Sequence, residues 1–426
     1  MLIEFRVTNF RSFKDEQKFS LVRGTGDELL ASNSFTANDA NQMPLLRSAA
    51  IYGPNASGKS NFLKALRAMK KIVMESALKG QRGDRLSVEP YRLSRATKDK
   101  PSEFEATFIA EGIRYQYGFS VTSQRVEDEW LFAFPKKRQQ VWFQRAWNSE
   151  TDSYEWDIGN QLIGKKQVWQ TSTRSNALFL STAVQLNSEQ LKPVFDWFRK
   201  TLRLAQVGGW DSGYTADLCE NEESKSRVME FLRAADIAID DISIERTPFN
   251  PADHLPNDMP DPLKEMIAEE LKDKQLARIQ TIHLDEDDNP VIFDMKKDES
   301  DGTQKLFGFA GPWLDALENG YVLFIDELHG NLHPELVRFL VGLFNNSETN
   351  PNNAQLVFST HETSILSQKC FRRDQIWFCE KSTETGSQLY SLFDIRGVIK
   401  DRSNLALAYL SGRYGALPFV RDLNLQ

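Results

Sequence analysis

The chain has 426 residues, 40% hydrophobic and 26% charged, with a net charge of −8. That length supports two or three domains with a sizeable core, and the acidic balance argues against nucleic-acid binding over the whole surface. No apolar run approaches the ~20 residues of a membrane span, the N-terminus lacks a signal-peptide core, and three scattered cysteines (Cys219, Cys370, Cys379) suit neither a disulfide framework nor a zinc site, so a cytoplasmic protein is expected.

Along the chain, Ile3, Phe5 and Val7 alternate with Glu4, Arg6 and Thr8, which predicts a half-buried strand. Phe19 and Leu21, followed by Gly24 and Gly26, predict a second strand and a turn. Gly53-Pro54-Asn55-Ala56-Ser57-Gly58-Lys59-Ser60 then fits the phosphate-loop pattern G-x-x-x-x-G-K-[ST]. It lies between an apolar run, Ser48 to Tyr52, and a helical pattern from Asn61 through Leu66 and Met69 to Val73. That context separates the motif from a glycine turn that happens to carry a lysine. Gly53 and Gly58 let successive amides turn inward, and the helix N-terminus adds positive potential. Lys59 is placed to reach the β- and γ-phosphates of ATP and Ser60 to hold Mg²⁺, with Asn55 and Asn61 completing the candidate nucleotide-binding set.

Phe104 to Phe108 and Tyr115 to Phe119 alternate on either side of Glu111-Gly112, a hairpin pattern, and Trp130 to Phe132 and Gln140 to Phe143 read as further strands. The basic run Lys136-Lys137-Arg138 reads as a solvated loop. From residue 188 to 280 the pattern turns helical, with Leu191, Val194, Phe195, Phe198 and Leu202, then Val228, Phe231 and Leu232. Pro251, Pro256, Pro260 and Pro262 mark a polar, mobile excursion. A charged helix is expected from Leu263 to Ile279, with Met266, Ile267, Leu271 and Leu276 on one side. The acidic run Asp285 to Asp288, between two apolar stretches, reads as a hairpin turn in preference to a metal site.

Tyr321 to Ile325 is a continuous apolar run ending in Asp326-Glu327, as a buried parallel strand should where open α/β sheets bind ligands. Asp326 is the candidate Mg²⁺ ligand beside Ser60, and Glu327 the group that orients or deprotonates water. Another apolar strand, Gln355 to Phe358, leads to Ser359-Thr360-His361, which makes His361 a candidate γ-phosphate contact. Lys59, Glu327 and His361 form the candidate catalytic set.

In this order the phosphate loop, Ser300-Asp301-Gly302-Thr303, Asp326-Glu327 and His361 resemble an α/β ABC-type P-loop ATPase head of the RecF/SMC-like branch: a mixed sheet with an antiparallel β lobe, here with a helical insertion. Val7-Thr8-Asn9-Phe10-Arg11-Ser12-Phe13 resembles that branch's N-terminal signature, which implies a nucleotide contact for Arg11. The resemblance makes Ser300 and Gly302 γ-phosphate ligands, although Asp301 and Thr303 depart from the usual Ser-Gly-Gly-Gln. The head is expected to comprise residues 1–187, an insertion 188–280, and 281–426. Asp326 to Pro334, Asp374-Gln375-Ile376-Trp377-Phe378 and Tyr409-Leu410-Ser411-Gly412-Arg413-Tyr414-Gly415-Ala416 resemble a narrower group, the RecF-like ATPases of bacterial anti-phage abortive-infection modules. Its relatives include the ATPase halves of RloA/RloB, AbiL and PARIS-type pairs. The resemblance implies a homodimer or higher symmetric oligomer joined through ATP sites, a phage-derived trigger and a separately encoded, nuclease-like effector. It implies no membrane partner and permits nucleic acid; a DNA-repair or DNA-binding head is the alternative.

Overall fold

The N-terminal alternation becomes the strand Leu2–Thr8, with Phe5 and Val7 buried and Glu4 and Arg6 half-buried on the other face. A computed structural model describes residues 1–205, 209–210, 212–251, 255–256, 259–271, 275–367, 370–382, 384–395 and 405–418. The chain divides into two units, Met1–Gly208 with Ala316–Gly330 and Val337–Gln426, and Gly209–Asp315 with Asn331–Leu336.

The first unit holds two larger sheets. One is antiparallel and seven-stranded, in the order Ser153–Ile158, Gln140–Asn148, Val126–Phe134, Ile113–Val121, Ser102–Ala110, Leu2–Thr8, Gln17–Ser20. Its hairpin turns at Glu111 (φ 49°) and Gly112 (φ 73°), the paired positive angles that suit the strands' right-handed twist. The other sheet is mixed, in the order Leu202–Leu204, Val322–Ile325, Gln355–Ser359, Ser48–Tyr52, Ile376–Ser382, Gly386–Ser391. Its first five strands are parallel and the last pairs antiparallel.

The helix Lys59–Glu75 lies between these sheets because Phe62, Leu66, Met69 and Val73 recur at three- and four-residue spacing and are all buried. Phe62 meets Phe5 and Phe19 of the antiparallel sheet at ring-centroid distances of 5.5 and 5.4 Å. Phe19 in turn meets Trp377 at 4.9 Å and Phe324 at 6.4 Å, from the mixed sheet. Full burial of each such ring contributes about 1.5–3 kcal/mol. The β lobe carries a buried charge in return for order: Glu129, fully buried, accepts from Arg145 Nε (3.0 Å), the Tyr117 hydroxyl (3.0 Å) and the Phe179 and Leu180 amides (2.7 and 3.0 Å). Those two amides begin the helix Phe179–Gln185, whose exposed donors a carboxylate satisfies.

The Asp374-Gln375 motif is also structural. Asp374 pairs with buried Arg372 (2.8 Å) and accepts the Gly24 amide (2.7 Å), while the Gln375 amide donates to the Ser48 carbonyl (2.9 Å) at the start of the strand that feeds the phosphate loop.

The second unit has its own core, in which Trp210 packs edge-on to Phe309 and Trp313, and Phe309 stacks on Trp313 at 4.9 Å. It differs from the helical insertion expected over 188–280. The helices Gly213–Leu218 and Glu222–Ala234 are followed by a three-stranded antiparallel sheet of Asp241–Pro248, Gln275–Leu284 and Pro290–Asp294. Leu202 starts a strand of the mixed sheet and belongs to the first unit, whereas residues 281–315 belong to the second. The expected helix from Leu263 ends at Leu271, and Leu276 and Ile279 stand in a strand. There Ile279 and Thr281 point inward between less buried neighbours, so cross-strand packing overrides a helix-compatible composition. The acidic run forms the hairpin turn, with His283 opposite Val291 and the Asp285 carboxylate accepting the Asp287 and Asn289 amides. Within the proline-rich excursion, residues 252–254 and 257–258 lie outside the described residues. Among the described residues no helix is long and apolar enough to cross a membrane.

Candidate functional site

Three loops leave neighbouring parallel strands at the same end. Ile51 pairs with Ser359 and Phe358 with Ile325, so Gly53, Asp326 and Thr360 follow strand ends held in register. The carboxyl edge of a parallel sheet is where such folds gather ligand groups, because the loops there converge.

The phosphate loop is shaped by what lies beneath it. Gly53 (φ 154°) has no room for a side chain, which would collide with the Cys379 carbonyl. Gly58 (φ 120°) is closed in by Ser387, and a Cβ there would strike its hydroxyl. The Ser387 hydroxyl donates to the Ser57 carbonyl (2.6 Å), and its amide donates to the Ser12 carbonyl (2.7 Å). Asn61 donates to the Ser12 hydroxyl (2.9 Å), so the N-terminal signature braces the loop from below. Burial pushes the Cys379 thiol up to about 11, keeping it neutral beneath the loop.

Lys59 is buried, and its ammonium donates to the carbonyls of Gly53 (2.6 Å) and Pro54 (3.0 Å). Burial lowers its pKa, while Cys379, Glu327 and Asp326 pull in the opposite direction. The Ser57 hydroxyl is buried with no hydrogen-bond partner. A buried polar atom without a partner, a cation resting on loop carbonyls and two glycines with no room for a side chain fit a polyphosphate, whose oxygens would satisfy the lysine and the free hydroxyl. Ser60 and Asn61 open the helix beneath.

Asp326 Oδ1 accepts from the Ser359 hydroxyl (2.5 Å), and the same hydroxyl accepts the Glu327 amide (2.8 Å). Ser359 therefore fixes both acids, a role that its place in an ordinary apolar strand does not reveal. Glu327 is exposed at φ 53°, a conformation uncommon for a residue with a side chain and found where surrounding structure enforces it. Asp326 and Ser60 supply oxygen donors of the kind that Mg²⁺ takes, a hard cation served by one or two protein ligands together with phosphates.

Replacing Ser359 with alanine is expected to raise the Mg²⁺ concentration needed for half-maximal hydrolysis by about 10- to 100-fold, the usual cost of losing a partner that orients a metal ligand. A Mg²⁺ titration of ATPase activity reads this directly. An unchanged requirement would show that Asp326 does not need the hydroxyl.

His361 is exposed, and its ring meets His329 edge-on at 3.8 Å between centroids. His329 Nδ1 lies 3.1 Å from the Thr360 hydroxyl, which accepts the Glu362 amide (3.0 Å). Burial alone would raise the Glu362 pKa, but hydrogen bonds from Ser364 and the positive character of His329 and His361 hold it below its usual value. His361 shares a cavity of about 720 Å³ with Gly53, Asn55 and Ser57 of the loop, within the range of small-molecule sites.

Arg11 (φ 50°) pairs with Glu89 at 2.6 Å, its amide donates to the Glu89 carbonyl, and it does not line the cavity. Ser300 and Gly302 belong to the second unit, at the start of the helix Asp301–Asn319. The Ser300 hydroxyl accepts the Thr303 amide (3.1 Å), a helix cap, and lies 2.9 Å from the Thr303 hydroxyl.

Residues 48–367 match the family described as "AAA domain, putative AbiEii toxin, Type IV TA system". Among solved structures, the chain is similar to the SMC head domain from Thermotoga maritima, with 12% identity, a TM-score of 0.39, and coverage of 92% of this chain and 98% of that one. It is also similar to the SMC head bound to the C-winged helix domain of ScpA, with 11% identity, a TM-score of 0.37, and coverage of 92% and 97%. No curated protein sequence matches.

Proposed function

The chain belongs to this AAA-domain family, and on that premise we propose that it is an ABC-class ATPase switch of an anti-phage abortive-infection module, controlling a separately encoded, nuclease-like effector. The observation that carries the ATPase reading is the convergence of the phosphate loop, the Ser359-bound acids and His361 at one edge of one parallel sheet. The toxin–antitoxin description of the family fits a protein that works with a second gene product.

In this mechanism Lys59 leaves the Gly53 and Pro54 carbonyls for the β- and γ-phosphates. The loop amides and the helix N-terminus hold the remaining charge. Ser60 and Asp326 would hold Mg²⁺, which would supply charge neutralisation at the phosphates. Glu327 orients the attacking water or takes its proton, and His361 contacts the γ-phosphate. Catalysis of this kind is positioning plus electrostatics. A second copy contributes Ser300 and Gly302, so ATP joins two subunits and hydrolysis releases them.

Light scattering on the Glu327→Gln protein tests the switch. ATP is expected to drive it into a stable dimer or larger ring that ADP does not support. An unchanged mass with ATP bound would remove the subunit-joining step. ATPase activity that rises steeply with DNA and falls with salt would favour the alternative, a DNA-repair or DNA-binding head.

A further inference from the structure

The motif from Tyr409 to Ala416 has no part in that mechanism, yet the structure spends many interactions on it. The Tyr409 ring stacks on Phe378 (5.3 Å, 25° between planes) and meets Tyr52 edge-on at 5.9 Å. Tyr52 ends the strand that enters the phosphate loop. The Tyr409 hydroxyl donates to the Ala416 carbonyl (2.9 Å), and the Tyr390 hydroxyl donates to the Tyr414 carbonyl (2.8 Å). Glu380 accepts the Ala416 amide (3.0 Å) and faces the Tyr390 hydroxyl (3.2 Å). Gly415 (φ 70°) is hemmed in at the same point: a Cβ would lie 2.7 Å from the Tyr390 hydroxyl and 2.8 Å from the Glu380 carboxylate. Burial, then the charge of Glu380, raises the Tyr390 phenol, and burial alone raises that of Tyr409 to about 12, so both remain hydrogen-bond donors.

These bonds hold Tyr409, Leu410, Leu417 and Pro418 in the lining of the cavity that Gly53 to Ser57 also line. Glu380 lines the same cavity and follows Cys379, whose carbonyl abuts Gly53. Its hydrogen-bond partner in the segment is the neutral Ala416 amide, which brings no opposite charge to the carboxylate. Lys381 and His361 are the positively chargeable groups on the cavity lining, and both are exposed.

We infer that the segment 405–418 is a nucleotide-sensing latch, held shut by Glu380 and loosened when a γ-phosphate enters the cavity beside that carboxylate. The inference rests on the ATP-binding reading above. Like charges brought together in a partly dehydrated cavity repel strongly, and the carboxylate relieves this by giving up the Ala416 amide. A diphosphate brings no γ-phosphate charge to the carboxylate and leaves the latch closed. The latch thereby reports whether the bound nucleotide is ATP or ADP on a surface that a partner protein can read.

Hydrogen exchange, followed by mass spectrometry on peptides within 405–418, tests the latch in the full chain carrying Glu327→Gln to prevent turnover. Saturating Mg·ATP is expected to speed exchange of these peptides several-fold over Mg·ADP. Adding Glu380→Gln, which keeps the acceptor oxygen and removes the charge, is expected to abolish the difference while ATP still binds. Equal exchange with ATP and ADP, or an unaltered difference in the glutamine variant, overturns the latch. Failure of ATP to bind, read by calorimetry on the same samples, overturns the nucleotide reading and the latch together.

Discussion

Glu327→Gln is expected to bind ATP with near-native affinity and to hydrolyse it about 10²- to 10⁴-fold more slowly, the range for removing a positioned general base. The substitution is nearly isosteric, and the Ser359 bond to the Glu327 amide involves the backbone, so the loop keeps its anchor. Asp326 retains its own bond to Ser359, and the Mg²⁺ requirement should not change. The loss should therefore fall on kcat with little change in KM, as for an interaction made in the transition state. Single-turnover hydrolysis beside equilibrium ATP binding separates the two. A variant that hydrolyses ATP at the native rate would remove Glu327 from the chemistry.

Lys59→Ala is expected to weaken ATP binding by about 30-fold to several thousand-fold, matching the ~2–5 kcal/mol lost when one partner of a buried, hydrogen-bonded charge pair is removed. The effect is large because Lys59 is buried and already desolvated, so the phosphate gains a cation held in place. Arginine should not rescue it, since a planar guanidinium cannot occupy the point between the Gly53 and Pro54 carbonyls. Calorimetry of ATP binding to the three proteins decides this. Native affinity in the alanine variant would mean that the loop amides suffice.

The depressed pKa of Lys59 adds a pH dependence with a definite sign. Burial favours the neutral amine in the free protein, whereas a bound phosphate favours the ammonium. ATP affinity should thus be full below the lowered pKa and decline as pH rises through it, with proton uptake on binding in that window. Lys59→Ala should lack this dependence.

Much of the site was legible because its chemistry is contiguous. Gly53 to Ser60 carries its own turn, charge and helix start, and the apolar run before Asp326-Glu327 announces a buried strand. His361 stood out by its place after another such strand. The Ser12–Ser387 brace and the Ser359 clamp on Asp326 and Glu327 join residues tens to hundreds of positions apart, and serine is too common a residue to point to them. Arg11 shows the same limit: its signature implies a nucleotide contact, and its ion pair with Glu89, 78 residues away, is not legible from local spacing.

The sequence by itself determined the local devices: the phosphate loop, the acidic strand end, the β-hairpins and the amphipathic helix Lys59–Glu75. Each depends on spacing within a few residues, where backbone geometry and side-chain chemistry leave few alternatives. Tertiary structure decided which faces those devices share. Residues 275–284 became a strand because flanking strands paired with them, and Leu202 joined the mixed sheet through Val322. The Tyr409 to Ala416 motif became the wall of the cavity only when Glu380 and Tyr390 received it. Such choices rest on hydrogen bonds and buried surface supplied by distant segments, whose partners local spacing does not specify.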